Sequence, residues 1–297
     1  RSAGGGNPSG KWDHRTERPG PLRAPGRCPT SVSPMVRLQI VGGGKMGEAL
    51  LGGLLGSGWA EPGDLAVVEK LPARREALVA SFPGVVVVDE PVASEGALVA
   101  VKPGDVVATC RTLGALGIPR VLSIAAGITT ATLQEAVGPS TAVVRAMPNT
   151  PAVVGEGASA IAPGPTATES DLDWAQSVLD AVGVVVRVSE AQLDAVTGLS
   201  GSGPAYVFLI AESLIEAGVL MGLSREVSEV LAVQTLRGSA ELLRSSDEHA
   251  AALRGSVTSP GGTTAAGLHA LESGGVRAAI LDAVKAATER SEQLGRG

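Results

Sequence analysis

The residues able to do chemistry in this chain are mostly hydroxyls, glycines and backbone amides rather than ionisable groups. Residues 258–264 read TSPGGTT, with hydroxyls at Thr258, Ser259, Thr263 and Thr264 and no ionisable side chain. A helical pattern over 265–272 follows. Free backbone N–H groups at a helix N-terminus form a seat for a carboxylate or phosphate. The adjacent Gly261 and Gly262 let the backbone approach such a ligand closely. The same residues also suit a plain helix–helix connection, with Ser259 or a threonine as N-cap. The choice between these readings depends on whether the rest of the chain supplies a ligand.

A second constellation points to one. An apolar run at 36–41 breaks into Gly42, Gly43, Gly44, Lys45, Met46 and Gly47 ahead of a helical run at 48–57. In this G-x-G-x-x-G pattern Gly42 serves the tight turn, Gly44 the approach to a pyrophosphate, and Gly47 the packing of helix on strand. A second strand at 65–68 ends in Glu69, about 20 positions on, where a ribose-binding carboxylate is expected in a dinucleotide site. A carboxylate there suits NADH. Lys70, Arg74 and Arg75 lie just behind it and can bind the 2′-phosphate of NADPH, or else form a solvated helix face. The three histidines lack metal-ligand spacing, so no metal site is expected. The two cysteines, Cys28 and Cys110, are far apart and without a partner motif, which fits a reducing, cytoplasmic location.

These groups must be carried by a regular frame. Strand-like runs at 85–88, 97–101, 120–125, 141–146 and 184–188 alternate with helical patterns at 104–116, 129–137 and 169–182. That alternation predicts an α/β fold with a Rossmann-type, doubly wound parallel sheet, with 85–88 as a fully buried strand. Ligands of such sheets lie beyond the carboxyl ends of the strands. Lys102-Pro103, Ala125-Ala126-Gly127 and Pro148-Asn149-Thr150 all fall there, which makes Lys102 and Asn149 candidates for cofactor contact. Their plain alternatives are a solvated strand-end lysine and a turn residue.

From residue 190 the strand-like runs cease, and 193–199, 205–220, 226–243 and 276–294 show apolar residues at helical spacing. The run at 205–220 is apolar nearly all round and must be buried. A lobe of roughly 100 residues has little interior to hide it, so a second copy of the chain is expected to cover it. The alternative is a monomer in which the first half does so. The domain reading is therefore 35–188 for dinucleotide binding and 189–297 for an all-α dimerisation and substrate domain.

The chain has 297 residues, with one Tyr, two Phe and three Trp, so its core must be built from small aliphatic side chains. No uninterrupted apolar run approaches the ~20 residues of a membrane span. Residues 1–34 are rich in Gly, Pro and Arg and lack periodicity; they are expected to be disordered, with Met35 as a candidate start. They carry six basic residues against Asp13 and Glu17, so the net charge of −6 leaves −10 on the remainder. An acidic body offers no basic stripe for nucleic acid.

Six segments in order make a family resemblance specific: VGGGKMG at 41–47, VKP at 101–103, SIAAG at 123–127, RAMPNTP at 145–151, TGLSGSGPAY at 197–206 and TSPGGTT at 258–264. The chain resembles the pyrroline-5-carboxylate reductases over about residues 36–292. That resemblance implies NAD(P)H-dependent reduction of 1-pyrroline-5-carboxylate to L-proline, usually with NADPH. It implies a Rossmann domain followed by a helical domain that interlocks with its partner in a homodimer, often within a larger ring. It puts cofactor contacts on Val41, Gly42, Gly43, Gly44, Lys45 and Met46, on Ala100, Val101, Lys102 and Pro103, and on Ile124, Ala125 and Ala126. It puts the substrate carboxylate on Ser259, Gly262 and Thr263, and the hydroxyl of Thr264 near the ring nitrogen. A carboxylate near Asp247 and Glu248 is a looser transfer, from the partner chain. Two departures stand out: Glu69, where relatives often have a small polar or basic residue, and Gly96-Ala97, where many have Asp. Competing readings are a hydroxyacid dehydrogenase of similar architecture and a non-catalytic dinucleotide sensor. The former needs a lysine base in the helical half, where Lys285 alone is available; the latter has no need of TSPGGTT.

Overall fold

In the computed structural model, which describes residues 35–295, the chain opens with β1 (Leu38–Val41), α1 (Lys45–Gly56), β2 (Leu65–Val68), α2 (Pro72–Ser81) and β3 (Val86–Val88). Next come β4 (Ala97–Val99), α3 (Pro103–Ala115), β5 (Arg120–Ser123), α4 (Thr130–Val137) and β6 (Ala142–Met147). The sheet half closes with β7 (Gly157–Pro163), α5 (Glu169–Leu179) and β8 (Gly183–Arg187). The helical half holds α6 (Leu193–Val196), α7 (Gly203–Leu220), α8 (Arg225–Ser245), α9 (Ala250–Ser256), α10 (Thr263–Ser273) and α11 (Val276–Gly295). The expectations for residues 1–34 lie outside the described residues.

One sheet runs in the order β3-β2-β1-β4-β5-β6-β7-β8. β1 through β6 are mutually parallel, while β7 pairs antiparallel with β6 and parallel with β8. β1 is flanked by β2 and β4, with Val41 in register with both Val68 and Val99. That is the switch point where connections leave in opposite directions and a crevice must open. Period-2 alternation then sorts the strands onto two cores. Leu38 and Ile40 of β1 pack with Leu50, Leu51 and Leu54 of α1 on one face. Val41 and Val99 pack with Val106, Cys110 and Leu113 of α3 on the other. Burial pushes the Cys110 thiol up to about 11, so this cysteine is core rather than nucleophile. Gln39, fully buried in β1, is satisfied by the Val92 backbone and the Ser94 hydroxyl.

Two strand expectations need correction. The run at 85–88 is not fully buried: β3 is the sheet edge, pairs only with β2, and leaves Val86 38% exposed. β7 has no counterpart in the sequence reading. Gly157–Pro163 contains Ile161 as its only β-branched residue, and the strand exists because β6 and β8 flank it. The Gly96 departure is structural, since a Cβ there would sit 2.5 Å from Cζ2 of Trp174.

In the helical half, α6 continues through a π-helical turn at Thr197–Gly201 into α7. π-turns mark places where packing rather than the helix ladder dictates the backbone. Here Gly198 lies so close to α11 that a Cβ would fall on Val284 and Thr288, and Gly201 likewise abuts Met147. α7 packs on α8, yet no residue of α7 is buried. Phe208 is 63% and Leu209 64% exposed. The sheet half does not cover this helix, which removes the monomeric alternative of that kind. By length and composition alone the stretch Glu190–Leu220 would also cross a membrane.

Candidate functional site

The glycine loop closes on β4. Gly42 has φ 111°, and a Cβ on it would stand 2.6 Å from the Ala100 carbonyl oxygen. Gly47 meets the Gly42 carbonyl, so α1 can lie against β1 only without a side chain there. Gly43, which the motif leaves unassigned, is held against Leu78 and the Glu69 carboxylate. Gly44 is the opposite case, because a Cβ would meet nothing within 4 Å. It is the N-cap of α1 and makes no side-chain cap, so the first amides of the helix face an open space. A cleft of about 390 Å³ lies there. Val41, Gly42, Gly44, Glu69, Ala100, Val101 and Lys102 all line it.

These residues fit a dinucleotide. The bare side of Gly44 and the uncapped helix start suit a pyrophosphate, and the cleft sits at the carboxyl ends of β1, β2 and β4. The two glycines should separate on substitution. Gly42→Ala is expected to cost about 1–3 kcal/mol of stability, the usual price of a forced backbone conformation, read as a fall in Tm. Gly44→Val should leave Tm unchanged and weaken dinucleotide binding at least about tenfold, as loss of hydrogen bonds to a charged group would. Equal Tm losses in both variants would contradict this division.

Glu69 is fixed in place. Its Oε2 accepts the Gly43 N–H at 3.1 Å and its Oε1 accepts the Leu71 N–H at 2.9 Å. Arg74 donates to the Gly43 carbonyl at 2.7 Å and to Glu48 at 2.5 Å. Arg75 donates to the carbonyls of Glu69 and Lys70. Arg74 is thus committed to the glycine loop and Arg75 to the chain just after β2, which leaves Lys70 and Lys102 as exposed cations lining the cleft without an ion pair among the described residues.

The other expected cofactor residues divide. Pro103 starts α3 just beyond Lys102. Ile124 and Ala125 are packed into the two cores at the end of β5, and Ala126 is exposed beyond them. Met46 packs on the first core, and Lys45 lines a separate groove between α1 and the segment at Ala152 to Gly155. Asn149 is a bridge: its amide donates to the Ser200 carbonyl at 3.1 Å and accepts the Ala158 N–H at 2.9 Å. It thereby lines an apolar cavity of about 430 Å³ with Leu199, Tyr206 and Phe208, apart from the glycine cleft.

At residues 258–264 the N-cap of α10 is Gly262, and no side chain caps the helix. The expected cap from Ser259 or a threonine is not formed. Ser259 Oγ lies where a Cβ of Gly262 would go, and Thr258 donates to the Arg254 carbonyl. Gly261 takes φ 68° to turn the chain. The first amides of α10 therefore have neither an intrahelical acceptor nor a side-chain one, while Thr263 is exposed and Thr264 half-buried beside them. Within one chain, no hydrogen bond or ion pair among the described residues links this loop to the sheet half. No residue of this loop lines the cleft at Gly44.

One feature escaped sequence reasoning. Glu190 accepts hydrogen bonds from Thr130 and Arg145. Burial alone would raise its pKa, but the Thr130 and Arg145 bonds outweigh that and hold it below the ordinary 4.5. The available signal was Arg145 itself, a charge inside the otherwise apolar run of β6, which must find a partner.

Comparison with known proteins covers both halves. A family model for pyrroline-5-carboxylate reductase dimerisation matches residues 190–294. One described as NADP oxidoreductase, coenzyme F420-dependent, matches residues 37–127. The pyrroline-5-carboxylate reductase of Synechocystis is 44% identical over 265 residues, spanning 88% of this chain and 99% of that protein. The Arabidopsis thaliana enzyme is 41% identical over 266 residues, spanning 88% and 96%. Among solved structures, the Coxiella burnetii pyrroline-5-carboxylate reductase superposes with a TM-score of 0.83 at 34% identity, covering 88% of this chain and 98% of that one. The Plasmodium falciparum pyrroline carboxylate reductase with NADP bound gives 0.76 at 31%, over 88% and 98%. Since identity of this order runs through the sheet and the bare helical lobe alike, the chain belongs to the pyrroline-5-carboxylate reductase family.

Proposed function

We infer that this chain reduces 1-pyrroline-5-carboxylate to L-proline with NADPH, and that a homodimer is the working unit. The observation that carries the reading is the uncapped start of α10, whose free amides stand beside Ser259, Thr263 and Thr264. Residues 35–188 act as the cofactor domain and 189–297 as the dimerisation and substrate domain. The bare α7 supports a second chain packed across it, interlocked helix to helix, and such dimers can close further into a ring. This also accounts for the apolar stretch 190–220 without a membrane. The acidic body argues against nucleic acid, and the sparse, unpartnered cysteines support a cytoplasmic location.

When bound, the nicotinamide supplies a hydride to the imine carbon. The chain's own groups do the rest. Gly42, Gly43, Gly44 and the start of α1 would hold the pyrophosphate, with Ala100 to Pro103 and Ile124 to Ala126 bounding the rest of the cofactor site, while Asn149 ties the chain after β6 to the helical half. The amides at Gly262 and Thr263, with Ser259, fix the substrate carboxylate and so orient the ring. The Thr264 hydroxyl hydrogen-bonds the ring nitrogen and relays to it a proton drawn from water as the C=N bond becomes an amine, so that the hydroxyl is regenerated. A cyclic imine is readily protonated, so a strongly perturbed acid is not required. Because cleft and loop lie apart within one chain, the partner chain brings the loop to the cleft.

NADH is a second hydride source, because Glu69 suits an unmodified ribose diol. Lys70 then provides the contact for a 2′-phosphate. Lys70→Ala is expected to raise the Kd for NADPH about tenfold, the worth of one charge-assisted hydrogen bond, and to leave that for NADH unchanged. Fluorescence titration with both nucleotides checks this. The activity itself is tested with pyrroline-5-carboxylate and each nucleotide, following nicotinamide absorbance. Failure to oxidise either would favour a non-catalytic sensor. Oxidation only with a keto acid would favour a hydroxyacid dehydrogenase, although Lys285, the lysine of the helical half, is 74% exposed and paired with Glu289.

A further inference from the structure

The carboxylate of Glu190 joins three parts of the chain that are distant in sequence. Oε1 accepts the Thr130 backbone N–H at 2.6 Å and an Arg145 N–H at 3.2 Å, and Oε2 accepts the Thr130 hydroxyl at 2.5 Å. Thr130 is the first residue of α4, directly after the loop at 124–129. Arg145 lies in β6, the strand that leads to Asn149, and Glu190 opens the helical half. Thr130 is buried, and the Arg145 and Glu190 side chains are 9% and 33% exposed. The same loop is touched from the helical half a second time, at Gly127, where a Cβ would stand 3.5 Å from the Leu294 carbonyl oxygen.

This network makes no part of the glycine cleft or of the α10 loop. Its geometry is that of a brace. A carboxylate at a helix start is favoured by the amides and dipole there, and a buried guanidinium left without its counter-charge is strongly unfavourable. The three elements therefore hold one relative placement.

We propose that Thr130, Glu190 and Arg145 form a positioning device for the reaction, fixing the 124–127 loop and β6 against the helical half. The proposal rests on the functional reading above. In that reading the loop borders the cofactor, and the substrate loop arrives on the partner's helical half, which interlocks with this chain's own. The approach of substrate to cofactor then depends on how firmly each sheet half is anchored to its helical half. Misplacement of reacting groups by about 1 Å costs on the order of 10²-fold in rate.

The test uses the full-length dimeric enzyme as Glu190→Ala, Glu190→Gln and Thr130→Val. It measures kcat, KM, NADPH Kd, mass in solution and amide hydrogen exchange at 124–130. Glu190→Ala is expected to lower kcat roughly 10- to 100-fold, to accelerate exchange at 124–130, and to leave the dimer intact with NADPH Kd within about threefold. Glu190→Gln, which keeps an acceptor for Thr130 but loses the charge facing Arg145, should fall between it and wild type. If Glu190→Ala does not fold, Thr130→Val carries the test, with a fall in kcat of about 3- to 10-fold from loss of one hydrogen bond. A dimeric Glu190→Ala enzyme with wild-type kcat would overturn the proposal. So would parallel loss of kcat, NADPH affinity and dimer, which is what a purely structural role predicts. An inactive wild type would instead remove the functional reading, and unchanged exchange in the variant would refute the brace independently.

Discussion

Thr264→Ala is expected to lower kcat/KM for pyrroline-5-carboxylate by roughly 10²- to 10⁴-fold, the range for removal of a proton-transfer partner, while NADPH affinity and the dimer are unchanged. The size follows from how little else the loop offers. Arg254 and Glu272, which flank it in sequence, are both engaged: Arg277 donates to both Glu272 oxygens at 2.8 Å, and Arg254 stands 4.0 Å from the same carboxylate. The Arg277 hydrogen bonds hold the Glu272 carboxyl below its ordinary range, so it stays ionised and is a poor acid at neutral pH. Thr264, at the second position of α10, is the hydroxyl that the proposed reading sets beside the ring nitrogen. Thr264→Ser, which keeps that hydroxyl, should retain most of the activity. Wild-type kinetics in Thr264→Ala would remove the residue from the mechanism, whatever the fate of the fold.

A charge on the bare helix should be nearly as damaging by another route. Leu209→Arg is expected to give a monomer by light scattering, with kcat/KM lowered at least about 10²-fold through lost positioning and NADPH binding retained. Leu209 is 64% exposed in the single chain and lies on a helix with no buried residue, so the substitution costs the monomer little. In the dimer it would bury an unpaired charge. A mixing experiment separates a shared site from a merely associated one. Gly44→Val disables the cleft and Thr264→Ala disables the loop, so each homodimer is inactive. Equal mixing in a symmetric dimer should restore about a quarter of wild-type activity, since half the dimers are mixed and each has one intact site. No recovery after verified exchange of subunits would mean that cleft and loop belong to the same chain.

Much of this was legible in the residues themselves. The order of elements followed from period and punctuation, because a doubly wound sheet needs apolar strands buried on both faces and glycine where the first strand turns into its helix. The glycines of the loop could be assigned singly, and the geometry at Gly42 and Gly47 has the form expected of a tight turn and of helix-on-strand packing. β7 was illegible because small residues such as those of Gly157–Pro163 have little preference of their own and take strand form only between two neighbours. β3 misled for the converse reason: a valine run reads as buried, but an edge strand has no neighbour to bury it.

What the sequence determined by itself is the chemistry on offer, namely a glycine-rich turn between strand and helix and a run of hydroxyls and glycines ahead of α10. These are local properties, written in residue type and spacing. What only the tertiary structure decided is where those pieces stand. Asn149 is spent on bridging Ser200 and Ala158, Arg74 on the glycine loop and Arg75 on the Glu69 and Lys70 carbonyls, and Arg145 finds its partner 45 positions away in Glu190. No residue of the α10 loop lines the glycine cleft of its own chain. Long-range pairings of this kind leave no periodic trace, since a hydrogen bond or a buried face constrains only the two surfaces that meet, however far apart they lie in the chain.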